Sequence, residues 1–212
     1  RDLPALRVVV FEPAGAPAPE RIKDRTERPN MTVGRAVVVC LMNRYLVPGY
    51  NYLLSLLEIH KLAYFQQEAG ELLDLDFAKE NYGPYADKLR HVLNRIEGHF
   101  ILGVGEGRNE PDTPIRLLSG AAEEAEDFLL ERAETLGRFD RVAQLIEGFE
   151  TPYGMELLSS VHWAAMHESA EARTRVEAAI DAVRAWNERK RTLLRPEHIR
   201  IAWNRLHEQS WL

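Results

Sequence analysis

The sequence has a single cysteine and no long apolar run. Cys40 alone cannot form an internal disulfide, which is typical of a reducing compartment, and its apolar neighbours predict a buried structural thiol. No stretch reaches the roughly 18 apolar residues that a membrane span needs, and the first residues lack the pattern of a secretion signal. We therefore expect a cytoplasmic protein that does not insert into a membrane.

Motifs that carry catalysis or bind metals are also missing. There is no HExxH motif, no cysteine pair and no serine in a GxSxG elbow. His162 and His167 are five residues apart, which is not the spacing that places two ligands on one helix face. His60 and His91 fall in predicted helices, where packed or solvated side chains are expected. We predict no catalytic residue, no metal site and no cofactor.

The first 30 residues differ in character from the rest. Residues 3–11, LPALRVVVF, have the β-branched content of a strand, and the Pro-, Gly- and charge-rich residues 13–30 are typical of a linker. From residue 31 onward, apolar residues recur mostly at helical spacing. The sequence therefore predicts a mainly α-helical domain over 31–212 with a small β-hairpin or short strands, preceded over 1–30 by an extended strand and linker.

Local signals predict several helix boundaries. Thr32 and Ser55 can each cap a helix, Gly70 can end the helix that Ser55 begins, and Pro152 and Pro196 suit first helical turns. In the helix after Ser55, the spacing of the apolar residues leaves the polar residues for a solvent-facing side: Glu58, Lys61, Gln66 and Glu68.

Other segments predict strands and further helices. Residues 73–79 alternate as an exposed strand would, and residues 99–120 contain two apolar runs around a Gly- and Pro-rich loop, which favours a hairpin. Helical spacing resumes over 85–97. The remaining predicted helices cover residues 121–136, 139–149, 152–168, 170–190 and 196–212.

Two features could bind a partner. In the tetrapeptide YGPY, Pro84 restricts the backbone and holds Tyr82 and Tyr85 near a turn, where the rings could contact a partner or staple the turn to the core. Residues 104–135 contain nine acids and three bases, an excess equal to the net charge of -6. That window could be a solvated helix face, or it could steer a basic partner and imitate a phosphate backbone.

Three segments resemble a known family: SLLEIHKLAYFQQEAGELL, NYGPYADKLRHVLNRIEGHFI and RVAQLIEGFETPYGMELLSSVHWA. They are similar to the C-terminal region of DarG antitoxins and to the SocA-like, or Panacea, antitoxin domain. The resemblance covers residues 31–212, and residues 1–30 resemble the end of the DarG macrodomain followed by a linker. It implies a toxin-binding antitoxin domain without enzyme activity, because the hydrolase activity of the family would belong to the macrodomain.

The resemblance also implies a partner, a DarT-type DNA ADP-ribosyltransferase toxin. Our hypothesis is that an acidic face or loop blocks the toxin's single-stranded DNA groove by DNA mimicry. The expected contact residues are Tyr82, Pro84, Tyr85, His99, Phe100, Glu106, Arg108, Glu110 and Asp112. The alternative is a nucleic-acid-binding regulator of a toxin-antitoxin operon that uses the terminal helices, although the acidic net charge argues against direct nucleic-acid binding.

Overall fold

The computed structural model describes residues 27–46, 54–104 and 110–212. Its helices are α1 Val33–Tyr45, α2 Leu56–Glu68, α3 Asp87–Ile96, α4 Ala121–Leu129, α5 Ala133–Ile146, α6 Pro152–Trp163, α7 Ala170–Thr174, α8 Val176–Ala185, α9 Glu188–Leu193 and α10 Pro196–Glu208. A π-helical turn, Ala164–Glu168, follows α6. The short strands are β1 Leu54–Ser55, β2 Ala78–Glu80, β3 Gly83–Tyr85, β4 Ile101–Leu102 and β5 Pro114–Leu117.

The prediction of a mainly α-helical fold with a small β element is confirmed. The strand predicted over 3–11 and most of the linker lie outside the described residues. The division at residue 30 therefore stays a prediction. Within the described part of the chain, no helix is both long and apolar enough to span a bilayer.

Helix α2 lies at the centre of the fold, and its residues 56–66 are all buried. It packs against α1, α5, α6 and strand β3. The prediction of a solvent-facing side is wrong for Glu58, Lys61 and Gln66, because each is at most 2% exposed. The buried Glu58 carboxylate accepts hydrogen bonds from the Tyr45 hydroxyl at 2.7 Å and the Ser55 hydroxyl at 2.6 Å. Neighbouring elements thus cover a face that the sequence pattern assigns to water.

The strands form two small antiparallel sheets. Strands β4 and β5 pair with each other, and Ile101 lies opposite Leu117, which confirms the hairpin predicted over 99–120. Strand β1 pairs with the other edge of β5. Strands β2 and β3 form a hairpin that is closed by the two residues 81–82. The predicted strand over 73–79 is wrong for most of its length, because regular pairing begins only at Ala78.

Several of the predicted helix boundaries agree with the structure, but the single helix predicted over 170–190 is wrong, because α7, α8 and α9 divide that segment. Thr32 and Ser55 cap α1 and α2, and Pro152 and Pro196 lie in the first turns of α6 and α10. The division of residues 121–149 is different from the prediction: the break falls between α4 and α5, at residues 130–132, and Gly137 lies inside α5. An exposed glycine is tolerated there because the apolar side of α5 still faces the core.

Candidate functional site

An open cavity of about 340 Å³ lies between the start of α2 and the β2–β3 hairpin. We call it the hairpin cavity. It is lined by Leu56, Leu57, His60, Lys61, Glu80, Asn81, Tyr82, Gly83, Tyr85, Asp87 and Pro111. Its wall therefore combines aliphatic side chains, two tyrosines, two carboxylates and two buried nitrogen groups, which is a composition typical of small-ligand sites.

His60 supplies a buried imidazole to this wall. Its ring is 2% exposed and stacks on the Tyr85 ring with the centroids 4.3 Å apart. The backbone N–H of Ala86 donates to Nδ1 at 3.5 Å, whereas Nε2 has no hydrogen-bond partner among the described residues. Burial lowers the pKa of His60 to about 3, so the ring is neutral near pH 7 and its single proton lies on Nε2.

Lys61 supplies a buried amine. Its side chain is 2% exposed, and Nζ donates to the backbone oxygen of Pro84 at 2.7 Å. Burial, and then the positive charge of Lys190, together lower the pKa of Lys61 from 10.5 to about 7, although the carboxylate of Glu156 opposes the shift. Both forms of this amine are therefore populated near neutral pH.

The hairpin is held close to α6 by a glycine. Gly83 has a φ of +99°, which side-chain-bearing residues rarely adopt. A Cβ at this position would lie 3.1 Å from the Ser160 hydroxyl and 3.3 Å from that of Ser159. The absent side chain lets the YGPY turn approach α6, and this approach gives the cavity one of its walls.

A wider groove of about 710 Å³ adjoins the hairpin cavity. The two share Leu57, Tyr82 and Pro111. The Arg189 guanidinium lies over the Tyr82 ring, 4.4 Å from its centroid, and both residues line the groove. Tyr82 thus separates the cavity from the groove.

A buried ion pair lies behind the groove. Glu156, on α6, accepts from Lys190 Nζ at 2.8 Å and also pairs with Arg189. Burial alone would raise the pKa of Glu156, but the two cations hold it below its ordinary value. Lys190 also donates to the Ser160 hydroxyl at 2.8 Å. These bonds fix α9 against α6 and thereby position Arg189.

The structure brings together some of the residues predicted to bind a partner. Tyr82 and Tyr85 line the hairpin cavity, and Glu110 and Asp112 line the adjoining groove. Pro84 is buried below the turn, where its carbonyl oxygen meets Lys61.

The other predicted contact residues lie elsewhere. His99 is partly buried, and neither it nor Phe100 lines the cavity or the groove. Phe100 has no exposed surface and belongs to the core, with Arg28 stacked over its ring at 4.5 Å. Glu106 and Arg108 fall outside the described residues.

Sequence reasoning missed His60, Lys61 and Arg189. The first two lie on a helix whose pattern suggests ordinary amphipathicity, and Arg189 lies in a charged segment that suggests surface pairing. These residues come together only because the β2–β3 hairpin, which is distant from them in the sequence, packs beside them. The described residues contain no group of three or more side chains arranged to hold a metal ion.

The arrangement can donate hydrogen bonds from His60 and Lys61, accept them at two carboxylates and pack a ring against aromatic side chains. Glu80 and Asp87 are the carboxylates of the cavity, and both are exposed. The cavity thus contains hydrogen-bond donors, hydrogen-bond acceptors and aromatic surface that can recognise a small ligand.

No protein-family model matches the sequence. A protein of Thermus aquaticus named DNA ADP-ribosyl glycohydrolase is 40% identical over 210 residues, a match that covers 99% of this chain and 56% of the relative. Proteins of Mycobacterium bovis and Mycobacterium tuberculosis with the same name are 37% identical over 218 residues, covering 97% of this chain and 60% of each relative. The chain thus spans less than two thirds of the length of these curated relatives.

The names of these relatives contradict several predictions. They are named for a hydrolase activity, so the predicted identity as a DarG C-terminal or SocA-like antitoxin domain is wrong. The predicted inhibition of a DarT-type toxin, that toxin as partner, the operon regulator and the absence of enzyme activity are wrong for the same reason. The segments that carried the resemblance build α2 and its neighbours, and they describe a scaffold more than an activity.

Proposed function

We propose that this chain has the activity for which its relatives are named, the hydrolysis of the glycosidic bond that links ADP-ribose to DNA. The observation that supports the proposal most strongly is 40% identity across 99% of the chain to the Thermus aquaticus protein. The substrate would be ADP-ribosylated DNA, and the products ADP-ribose and unmodified DNA. A cytoplasmic location belongs to the same proposal, and the buried thiol of Cys40 is compatible with it.

The hairpin cavity and its groove are where we expect this substrate to contact the described residues. Hydrolysis at the ribose C1 needs a group that stabilises the positively charged transition state and a group that helps water attack. Glu80 and Asp87 are the exposed carboxylates of the cavity and are our candidates for these roles. Lys61 and His60 are candidates for donors to substrate oxygens.

The test is an assay of ADP-ribose release from ADP-ribosylated single-stranded DNA by the purified chain, followed by mass spectrometry. We expect release that increases linearly with protein concentration. Glu80→Gln and Asp87→Asn should lower kcat more than KM, because their charges would matter most in the transition state. Glu177→Gln is the matched control, since Glu177 pairs with Arg200 on α8 and α10 and lines neither the cavity nor the groove.

The full-length Thermus aquaticus relative provides the reference activity. If it releases ADP-ribose while this chain, folded by circular dichroism, releases none at stoichiometric concentration, the proposal is wrong and the catalytic groups belong to the part that the chain does not match. Equal activity of the carboxylate variants and the wild type would instead rule out Glu80 and Asp87 as catalytic groups.

A further inference from the structure

The hairpin cavity contains a buried hydrogen-bond donor that nothing in the described structure satisfies. His60 is 2% exposed, and its Nδ1 accepts from Ala86, which leaves Nε2 as the N–H donor of a neutral ring. This Nε2 atom has no acceptor within the described residues, although His60 lines the cavity. Buried donors are nearly always paired with a protein group or ordered water, and a ligand oxygen or ring nitrogen can take the same place.

The size and charge of the cavity restrict what the ligand can be. A volume of about 340 Å³ is near the lower end for small-molecule sites and suits one planar ring system better than a whole dinucleotide. The charged side chains of its described lining are Glu80, Asp87 and Lys61. Two carboxylates against one buried amine disfavour a phosphate group, whereas they can accept hydrogen bonds from the N–H groups of a neutral ligand.

The walls also suit an aromatic ligand. The Tyr85 ring is stacked on His60, and the Tyr82 side chain is 37% exposed at the boundary with the groove. Leu56, Leu57 and Pro111 add apolar surface. A ligand that fits must have a π face, an edge with both donors and acceptors, and no charge, and a nucleobase has all three.

We propose that the hairpin cavity binds an unpaired nucleobase of DNA, with an acceptor on the base edge satisfying His60 Nε2. The inference rests on the proposed function for its choice of DNA as the ligand. A base within a duplex is stacked and paired, so only a single-stranded or extruded base can enter a cavity of this kind. Base insertion would hold the DNA in register while the sugar chemistry takes place at the exposed carboxylates.

The experiment measures affinity by fluorescence anisotropy with unmodified oligonucleotides. The probes are a mixed-sequence single strand, the duplex of the same sequence, and a strand of equal length built only of abasic deoxyribose phosphates. We expect the abasic strand and the duplex to bind at least about tenfold more weakly, because loss of base stacking costs affinity of this order. The abasic strand keeps every phosphate, so binding by charge alone would leave its affinity unchanged.

His60→Phe keeps a stacking ring but removes the donor, and it should weaken binding of the mixed strand about tenfold. His91→Phe is the matched control, because His91 is an exposed residue of α3 that does not line the cavity, and its affinity should equal that of the wild type. If His60→Phe fails to fold, Tyr82→Ala at the partly exposed turn tests the same wall, again with about a tenfold loss.

Two results would overturn the inference. One is equal affinity for the abasic and base-containing strands, and the other is a cavity variant that folds and binds as the wild type does. None of these probes contains ADP-ribose. Base binding without ADP-ribose release would therefore contradict the proposed function alone, and release without base binding would contradict this inference alone.

Discussion

Lys61 is a buried amine whose titration should be visible in the stability of the protein. Its pKa is about 7 in the folded state and near 10.5 when the amine is exposed, so between these values the unfolded chain binds more protons than the folded one. The free energy of unfolding must then rise as the pH rises from about 7. From pH 7 to 8.5 the contribution of this one group is about 1.5 kcal/mol.

The measurement is urea unfolding of the wild type and of Lys61→Met at several pH values between 7 and 8.5. We expect the stability of the wild type to gain about 1.5 kcal/mol relative to the variant across this range. Burial, and then the charge of Glu126, raise the pKa of Cys40 to about 11, but that thiol is present in both proteins and its effect cancels in the comparison. If the free energies of unfolding of the two proteins change with pH in the same way, the pKa of Lys61 is not lowered in the folded state, and the prediction is wrong.

Gly83 should resist substitution because of its backbone and its surroundings. Gly83→Ala places a Cβ at a φ of +99° and 3.1 Å from the Ser160 hydroxyl, so we expect a loss of about 1–3 kcal/mol in thermal or urea unfolding. Gly137→Ala is the control, because that helical glycine has open space around it. This variant should be about 0.5–1 kcal/mol more stable than the wild type, since alanine favours a helix more than glycine does. Similar effects at both positions would contradict this description of the turn.

The sequence identifies some of the individual residues of the site but not others. The YGPY motif singles out Tyr82 and Tyr85, because a proline-restricted turn holds rings in place whatever the fold around it. His60 and Lys61 could not be found in this way, since the hairpin that covers them begins about 20 residues later in the chain. Local patterns show which residues a helix contains but not which distant segment will cover them.

Helices α6 and α9 are joined by a buried ion pair, and breaking it should be far more costly than breaking one at the surface. Glu156→Gln would leave the fully buried Lys190 without its charged partner, which typically costs about 3–5 kcal/mol. Glu177→Gln removes the exposed partner of Arg200 between α8 and α10 and should cost less than about 1 kcal/mol. Chemical unfolding of both variants tests the difference, and equal losses would refute it.

Capping and turn signals predict helix ends well, whereas they predict the breaks between helices less well. Thr32, Ser55, Pro152 and Pro196 act locally, so their roles at helix starts are confirmed. The break at 130–132 carries no glycine or proline, and the glycine five residues later lies inside α5. Tertiary packing of two apolar faces decides this division, and a single sequence does not show that packing.

The chain as a whole is acidic, with a formal net charge of -6, and this limits how it can bind DNA. Binding through base insertion rather than phosphate contacts should depend only weakly on salt. We expect the logarithm of the DNA association constant to fall with the logarithm of salt concentration with a slope no steeper than about -2. Anisotropy titrations across a range of salt concentrations measure this slope, and a much steeper value would indicate a phosphate-binding surface instead.

The resemblance of whole segments predicted the scaffold but the wrong activity. The helical class agrees with the structure, whereas the relatives that match nearly the whole chain are named for a hydrolase activity and not for inhibition of a toxin. This outcome has a physical reason: helix patterns and buried cores are shared by proteins whose exposed side chains perform different chemistry.

The most direct test of the central claim is the release of ADP-ribose from ADP-ribosylated single-stranded DNA by this chain alone. The proposed function predicts release by the wild type, a lower kcat for Glu80→Gln and Asp87→Asn, and unchanged kinetics for Glu177→Gln. No release by the folded chain, beside full activity of the Thermus aquaticus relative, would contradict it.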